Sequence, residues 1–216
     1  MTPARILFDL DGTLTDPLEG FARSMNHALA HHGYPTREPA DFARWIGPPI
    51  EGAFHALTGL QDATRIRALI DKYRERYATH GYTENLPYPG IAGALAELAA
   101  AGIPMGVCTS KRADFAERIL ELFGLRAHFA FVSGGDVGIA KWQQIGALRA
   151  EGRVAAEAVM VGDRDVDLIA AHRNGLASAG VLWGYGSHAE LSAHAPLYLF
   201  ETPGQLTQLA RAPGAG

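Results

Sequence analysis

Six short apolar segments, alternating with stretches of helical periodicity, constrain the fold of this chain more than any other feature. The strand-like segments are residues 5–8, 104–108, 129–132, 158–161, 177–182 and 197–200. The helix-like stretches that alternate with them are residues 91–101, 113–123, 143–150, 165–174 and 205–210. Several strand-like segments are apolar at successive positions, which indicates that both faces of the sheet are covered. The alternation predicts an α/β fold with a doubly wound, parallel, Rossmann-like sheet and right-handed crossovers.

One interval, residues 16–86, breaks this alternation because it contains several helix-like stretches and no strand-like segment. Phe21, Met25 and Leu29 recur at the spacing of one helix face, whereas Gly47-Pro48-Pro49 must interrupt any helix. The sequence therefore predicts an inserted α-helical domain at residues 16–86. The predicted core domain consists of residues 1–15 and 87–216.

The charge distribution favours a small ligand over a macromolecular partner. The 216-residue chain has a formal net charge of -4, and its lysines and arginines are scattered. There is no electrostatic reason to expect binding to nucleic acid or to a membrane. Cys108 is the only cysteine, and the first residues lack the pattern of a secretion signal. We expect a cytoplasmic protein that acts on a small metabolite; the sequence does not indicate its oligomeric state.

The first acidic cluster follows directly after the first strand-like segment. Asp9 and Asp11 are separated by one residue, so their side chains point to the same side of an extended chain, and Gly12 allows a sharp turn behind them. In a parallel sheet, ligands bind at the carboxyl ends of the strands. An isolated Asp-x-Asp-Gly is also a common turn, so this cluster alone does not define a site.

A second acidic cluster makes a site the better interpretation. Asp163, Asp165 and Asp167 also follow an apolar strand-like segment, and Asp163 and Asp167 are four residues apart, as neighbours on one helix face are. Helix capping explains one of these three aspartates but not the match with the first strand. Two carboxylate clusters at one sheet edge require a cation, and oxygen ligands without thiolates favour Mg²⁺.

Two further segments supply groups that suit a phosphate. Thr109-Ser110-Lys111 follows a strand-like segment, where a hydroxyl and free backbone amides at a helix start can bind an anion. Lys141 precedes the helix-like stretch 143–150 and can bring a positive charge to the same edge. Taken alone, Thr109 and Ser110 would equally suit a helix cap, and Lys141 would equally suit a solvated position on the surface.

Together, these segments resemble the four motifs of the haloacid dehalogenase superfamily. The first motif corresponds to Asp9-Leu10-Asp11-Gly12-Thr13, the second to Thr109, the third to Lys141 and the fourth to Gly162-Asp163 through Asp167. The position of the helical insert is similar to that of the α-helical cap in the phosphoglycolate phosphatase and β-phosphoglucomutase branch. One departure is Trp142, which follows Lys141 where the branch commonly has proline.

The resemblance implies a role for each motif residue. Asp9 would attack phosphorus to give an aspartyl-phosphate, and Asp11 would protonate the leaving oxygen and then activate water. Asp9, the Asp11 main-chain carbonyl and Asp163 would hold Mg²⁺, with Asp167 supporting the site from behind these ligands. Thr109 and Lys141 complete the catalytic set. The residues expected to bind the phosphate are Gly12, Thr13, Thr109, Ser110 and Lys141.

The insert and one late loop are expected to border the substrate. The insert would close over the site to exclude water, and a loop containing Arg44, Gly47 and Pro48 would contribute to specificity. Gly184-Tyr185-Gly186-Ser187 lies near the fourth motif in the predicted fold.

The predicted function is a magnesium-dependent phosphatase that hydrolyses a small phosphomonoester such as phosphoglycolate, a nucleotide or a sugar phosphate. A β-phosphoglucomutase-like phosphomutase is an alternative, because it shares the core chemistry. A metal-free dehalogenase is disfavoured, because Asp11 and Asp163 are both present. From other classes, residues 184–189 loosely fit the glycine fingerprint of a dinucleotide-binding module, and an inactive scaffold with this fold is also possible.

Overall fold

The computed structural model describes residues 2–135 and 138–210, so the predicted core domain extends beyond the described part at its C-terminal end. The strands are β1 (Ile6–Phe8), β2 (Thr15–Asp16), β3 (Leu86–Pro87), β4 (Met105–Thr109), β5 (Phe129–Gly134), β6 (Val159–Gly162), β7 (Ala177–Val181) and β8 (Tyr198–Phe200). The α-helices are α1 (Leu18–His31), α2 (Ile50–Thr58), α3 (Ala63–Thr79), α4 (Ile91–Ala100), α5 (Ala113–Leu122), α6 (Lys141–Ala150), α7 (Asp165–Arg173) and α8 (His188–Ser192). Short 3₁₀ segments cover Pro39–Trp45, Gly81–Glu84, Arg126–His128 and Pro203–Ala210.

Six of the strands form one parallel sheet in the order β5-β4-β1-β6-β7-β8. The chain builds outward from β1 through β4 to β5, and then returns to place β6 on the other side of β1. The strand order therefore reverses beside β1, which is where open α/β sheets bind ligands. The predicted parallel α/β fold is confirmed.

Both faces of the sheet are covered, as the apolar strand-like segments predicted. Leu7, Cys108 and Met160 lie on one face, in a buried cluster with apolar residues of α6 and α7. Ile6 and Phe8 point to the opposite face and are fully buried as well. Burial on both faces explains why these strands have no polar alternation.

The chain divides into two compact units, one formed by Pro17–Leu86 and the other by the segments before and after it. The first of these is helical and has its own apolar core, in which α1 packs on α3. The ring of Phe21 meets the rings of Phe42 and Tyr73 edge-on, at centroid distances of 6.4 and 5.7 Å. Phe21, Met25 and Leu29, whose spacing predicted a helix, are buried in α1, as are Ile66, Leu69 and Tyr73 in α3.

Two predicted helices start at a different residue in the structure. Residues 203–210 form a 3₁₀ segment rather than an α-helix, because Pro203 and Gly204 open it and the Thr207 hydroxyl bonds back to the Gly204 carbonyl at 2.9 Å. Helix α6 begins at Lys141, two residues before the predicted start. None of the described helices combines the length and the apolarity that crossing a bilayer requires.

Candidate active site

The strand register brings the acidic clusters and the second motif to one edge of the sheet. Phe8 at the end of β1 pairs with Val107 of β4 on one side and with Val161 of β6 on the other. Asp9 therefore lies level with the residues just before Thr109 and Asp163. The carboxyl ends of these three neighbouring strands supply the centre of the site.

Three aspartates from both clusters converge there. Asp9, Asp163 and Asp167 each offer a carboxylate oxygen, and these oxygens lie within 4.8 Å of one another. Asp9 is 1% exposed, and Asp163 and Asp167 are fully buried. The two acidic clusters, which are about 150 residues apart in the chain, therefore form one buried group of carboxylates.

Lys141 is the cation within this group. Its Nζ atom lies 3.0 Å from Asp9 Oδ2 and also contacts Asp167 Oδ1. The side chain is almost fully buried, which opposes its charge, but the two carboxylates outweigh burial and hold the pKa of Lys141 above its usual value. Lys141 thus fixes Asp9 and Asp167 on one side of the cluster.

Both carboxylate oxygens of Asp9 have a partner that orients the side chain. The Leu10 backbone N–H donates to Asp9 Oδ1 at 2.7 Å, while Lys141 holds Oδ2. This pair of contacts fixes the plane of the carboxylate at the end of β1. A buried carboxylate held in this way is suited to act as a nucleophile, because little motion is needed to bring it to a bound electrophile.

Asp163 is held by donors from two distant segments. The Thr13 hydroxyl donates to Oδ1 at 3.2 Å, and the Tyr185 backbone N–H donates to Oδ2 at 2.9 Å. Burial raises the pKa of Asp163 well above its usual value, and the charges of Asp167 and Asp9 raise it further. This carboxylate is therefore destabilised in its ionised form unless a cation lies beside it.

Asp167 has two functions in the structure. Its Oδ2 atom accepts from the Arg164 backbone N–H at 3.1 Å, as an acidic residue in the first turn of α7 commonly does, and its Oδ1 atom meets Lys141. Burial raises the pKa of Asp167, although Lys141 lowers it. One oxygen of Asp167 thus caps helix α7, and the other belongs to the carboxylate cluster through its contact with Lys141.

Asp11 lies beside a different lysine. Lys111 Nζ is 2.9 Å from Asp11 Oδ2, and the side chain of Lys111 is only 7% exposed. Among the described residues, the buried Asp11 Oδ1 atom has no hydrogen-bond partner. Burial raises the pKa of Asp11, and Lys111 reduces this increase. Asp11 therefore has one oxygen fixed by Lys111 and the other available to a ligand.

The residues predicted to bind phosphate occupy different positions around the cluster. The Thr109 hydroxyl accepts from the Lys111 backbone N–H at 3.2 Å, which leaves its own proton to donate; Ser110 is the next residue after β4. Gly12 has a φ of 84°, and a Cβ atom there would lie 2.1 Å from Asp163 Oδ2. The Thr13 backbone N–H donates to the Leu10 carbonyl oxygen, and its hydroxyl donates to Asp163. This geometry favours a role for Thr13 in holding Asp163, and its contact with phosphate stays a prediction.

The expected proximity of residues 184–187 to the fourth motif is confirmed. The structure adds a contact of Trp183, which the sequence pattern did not indicate, and one of Lys111, which it indicated only as part of Thr109-Ser110-Lys111. Trp183 Nε1 donates to the Thr13 carbonyl at 3.0 Å, and Lys111 meets Asp11. Trp183 follows β7 at the same sheet edge, and Lys111 follows Thr109 by two residues. Their positions just after strands of the predicted sheet could have indicated that both lie near the site. The three residues predicted in the insert, Arg44, Gly47 and Pro48, belong to the other unit.

The chemistry of this group fits a divalent cation. The donors are oxygens, they are buried, and that burial, together with the mutual repulsion of the carboxylates, raises the pKa values of Asp163 and Asp167. A hard cation such as Mg²⁺ prefers oxygen ligands and would relieve that repulsion. Asp9 and Asp163 fit as direct ligands, and Lys141 holds Asp9 and Asp167 in place.

Comparison with known proteins agrees with this architecture. Residues 6–181 match the family of haloacid dehalogenase-like hydrolases. The chain is 39% identical over 197 residues to a 5'-nucleotidase from Pseudomonas aeruginosa, with 89% of each chain covered. It is 33% identical over 187 residues to a phosphoglycolate phosphatase from Agrobacterium fabrum, which covers 83% of this chain and 80% of that one.

A solved structure extends the similarity to three dimensions. The crystal structure of a predicted phosphatase from Clostridium acetobutylicum has a TM-score of 0.90 to this chain at 32% sequence identity, covering 96% of this chain and 98% of the other. The matched region contains all four motifs. The chain therefore belongs to the haloacid dehalogenase-like hydrolase family, in its phosphoglycolate phosphatase-like branch.

Proposed function

We propose that this protein is a magnesium-dependent phosphatase that hydrolyses a small phosphomonoester through an aspartyl-phosphate on Asp9. Membership of a family of phosphoric monoester hydrolases supports the reaction class. The observation that carries the mechanism is the position of Asp9. Its buried carboxylate is oriented by Leu10 and Lys141 beside two further carboxylates at the carboxyl edge of the sheet.

Asp9 would act as the nucleophile. An Asp9 oxygen forms a bond to phosphorus while the bond from phosphorus to the leaving oxygen breaks, which leaves an acyl phosphate on the enzyme. Water then attacks phosphorus, releases inorganic phosphate and restores the carboxylate. Magnesium, when bound by Asp9, the Asp11 main-chain carbonyl and Asp163, offsets the repulsion between this carboxylate and the anionic substrate.

Asp11 would transfer the protons. Because burial raises its pKa, a fraction of Asp11 is neutral at a pH where an exposed aspartate is ionised. The oxygen that is not paired with Lys111 can donate its proton to the leaving oxygen and later accept one from water. A single side chain then serves both steps, first as acid and then as base.

Several donors would stabilise the transferring phosphoryl group. Lys141 lies next to Asp9, and the Thr109 hydroxyl has its proton available. Charge on the phosphoryl oxygens is the main feature of the transition state, so fixed donors aimed at these oxygens lower the barrier. Ser110 would provide a further donor, whereas the Gly12 backbone N–H already donates to the Thr15 carbonyl oxygen at 2.8 Å, so a direct contact of Gly12 with phosphate stays a prediction.

The substrate class rests on the relatives. A 5'-nucleotidase and a phosphoglycolate phosphatase are among them, and both names describe the hydrolysis of small phosphomonoesters. The dinucleotide-binding hypothesis has less support, because a Cβ atom at Gly184 would lie 2.3 Å from the Gly12 carbonyl oxygen. This glycine makes room for protein backbone, whereas the fingerprint requires space for a pyrophosphate.

The experiment is a phosphate-release assay with p-nitrophenyl phosphate, 2-phosphoglycolate, nucleoside 5'-monophosphates and β-glucose 1-phosphate, with Mg²⁺ or EDTA. We expect Mg²⁺-dependent release, and loss of more than about 10³-fold in kcat for Asp9→Asn. Hydroxylamine should convert the intermediate to a hydroxamate on the Asp9 peptide, detected by mass spectrometry. Asp165→Asn is the matched control, because Asp165 belongs to the same sequence cluster but lies outside the carboxylate group.

Two results would contradict the proposal. Near-normal turnover by Asp9→Asn would exclude Asp9 as the nucleophile. Isomerised glucose phosphate without released phosphate would identify a phosphomutase instead.

A further inference from the structure

The segment Trp183–Gly186, which follows β7, contacts both of the loops that carry the acidic clusters. Trp183 Nε1 donates to the Thr13 carbonyl at 3.0 Å, next to the first cluster. The Tyr185 backbone N–H donates to Asp163 Oδ2 at 2.9 Å, in the second cluster. The Tyr185 hydroxyl donates to Asp16 Oδ1, beyond the first cluster in the chain. One short segment thus bonds to both sides of the carboxylate group.

The backbone of this segment lies directly against the two loops. A Cβ atom at Gly184 would lie 2.3 Å from the Gly12 carbonyl oxygen and 2.4 Å from Asp163 Cβ. A Cβ atom at Gly186 would lie 1.9 Å from the Asp163 carbonyl oxygen. All three distances are too short for a Cβ atom, so the two glycines on either side of Tyr185 allow a close approach that other residues would prevent.

We propose that Trp183 and Tyr185 are positioning residues that set the separation between the Asp9–Asp11 loop and Asp163, and thereby the affinity of the site for a divalent cation. This inference rests on the proposed function, because it assumes that the carboxylate group binds Mg²⁺. Neither side chain touches the carboxylate group as a ligand. Each acts through the loop to which it bonds.

The reason is the cost of assembling like charges. Asp9, Asp163 and Asp167 repel one another before a cation arrives, so the two loops tend to separate. Hydrogen bonds that hold the loops in place keep the carboxylates together before the ion binds, so less free energy is lost on binding. A site preorganised in this way binds its ion more tightly. The Thr13 hydroxyl, which donates to Asp163 Oδ1, links the same two loops directly.

Trp183 and Tyr185 are both partly exposed, so core packing does not explain their contacts. Trp183→Phe removes the donor to Thr13 and keeps an aromatic ring. Tyr185→Phe removes a single oxygen and keeps the backbone donor to Asp163. The matched controls are Trp142→Phe and Tyr198→Phe, because Trp142 is 40% exposed at α6 and Tyr198 stacks on Phe200 in the edge strand β8.

The test is the Mg²⁺ dissociation constant of the substrate-free protein, measured by isothermal titration calorimetry. We expect Trp183→Phe and Tyr185→Phe each to weaken Mg²⁺ binding about five-fold, or ~1 kcal/mol, the effect of one hydrogen bond. The two controls should stay within two-fold of wild type. In turnover assays, the Mg²⁺ concentration for half-maximal activity should rise while kcat at saturating Mg²⁺ changes less.

Other outcomes are equally decisive. A melting temperature that falls with an unchanged Mg²⁺ affinity would show a purely structural role and overturn the inference. A wild-type protein that binds no Mg²⁺ would overturn it together with the metal assignment. A wild-type protein that binds Mg²⁺ with the expected variant effects, but hydrolyses no phosphomonoester, would support the inference and refute only the proposed function.

Discussion

Replacing Asp163 with asparagine should stabilise the metal-free protein while abolishing its response to Mg²⁺. Asp163 is fully buried, and its carboxylate lies within 4.8 Å of those of Asp9 and Asp167. At that separation, two unit charges repel by about 3.5 kcal/mol when the effective dielectric constant is about 20. The nearby charge of Lys141 offsets part of this repulsion.

The hydrogen bonds of Asp163 can survive the substitution. The asparagine oxygen can still accept from the Tyr185 N–H, and its amide group can donate to the Thr13 hydroxyl, which would rotate to accept. The net effect should therefore be relief of repulsion. We expect a gain of about 1–2 kcal/mol in the free energy of unfolding in EDTA, which corresponds to about 2–8 °C in melting temperature.

Thermal melts of wild type, Asp163→Asn and the control Asp165→Asn, in EDTA and in Mg²⁺, measure this effect in alkaline buffer, where Asp163 is ionised despite its raised pKa. Wild type should gain stability on Mg²⁺ addition, and Asp163→Asn should not, because it has lost a ligand. The control should stay within about 0.5 kcal/mol of wild type in EDTA and keep the Mg²⁺ response. If Asp163→Asn melts lower than wild type in EDTA, the buried carboxylates are not repelling one another and the reasoning fails.

Two further predictions concern pH. Burial raises the pKa of Asp163 and raises that of Asp167 to about 6, so folding favours the protonated form of both side chains. Their contribution to the free energy of unfolding is complete below the unfolded pKa of about 3.8 and is lost as the pH rises through the folded pKa values. In EDTA, the loss of this contribution should lower the melting temperature between about pH 4 and 6, whereas in Mg²⁺ the decrease should disappear; a decrease of the same size in Mg²⁺ would contradict the cation site. For Lys111→Met, the loss of a cation beside Asp11 should raise the pKa of Asp11 further and move the alkaline limb of the kcat profile to higher pH, with Lys111→Arg as the charge-conserving control. An unshifted limb in Lys111→Met would show that another group sets it.

The sequence was sufficient for those parts of the fold that depend on local pattern. Apolar segments of strand length located β1, β4 and β6, and their parallel pairing follows from the helices between them. The convergence of Asp9 and Asp163 then follows, because parallel strands end at one sheet edge. In the helical unit Pro17–Leu86, Phe21 and Met25 keep helical spacing where the alternation of strand and helix stops, whereas the closure of this unit over the site stays a prediction.

What could not be predicted depends on rotamers and loop paths. The pairing of Lys111 with Asp11 is decided by the course of the chain after β4. The bond from Trp183 to the Thr13 carbonyl joins residues 170 positions apart, and no sequence spacing encodes it. The 3₁₀ geometry of Pro203–Ala210 depends on local bonds that apolar spacing does not report.

The charges of the site also bear on the order of its steps. Asp9, Asp11, Asp163 and Asp167 face two lysines, so the ionised site has two excess negative charges, which one divalent cation balances. When Asp11 is also protonated, as the acid step requires, the cation-loaded site carries one positive charge. An anionic phosphomonoester should then bind best to the protonation state in which Asp11 can act as an acid. Binding and proton donation would therefore favour the same form of the enzyme, and the substrate affinity of Asp11→Asn, which is permanently neutral at this position, should be equal to or higher than that of wild type.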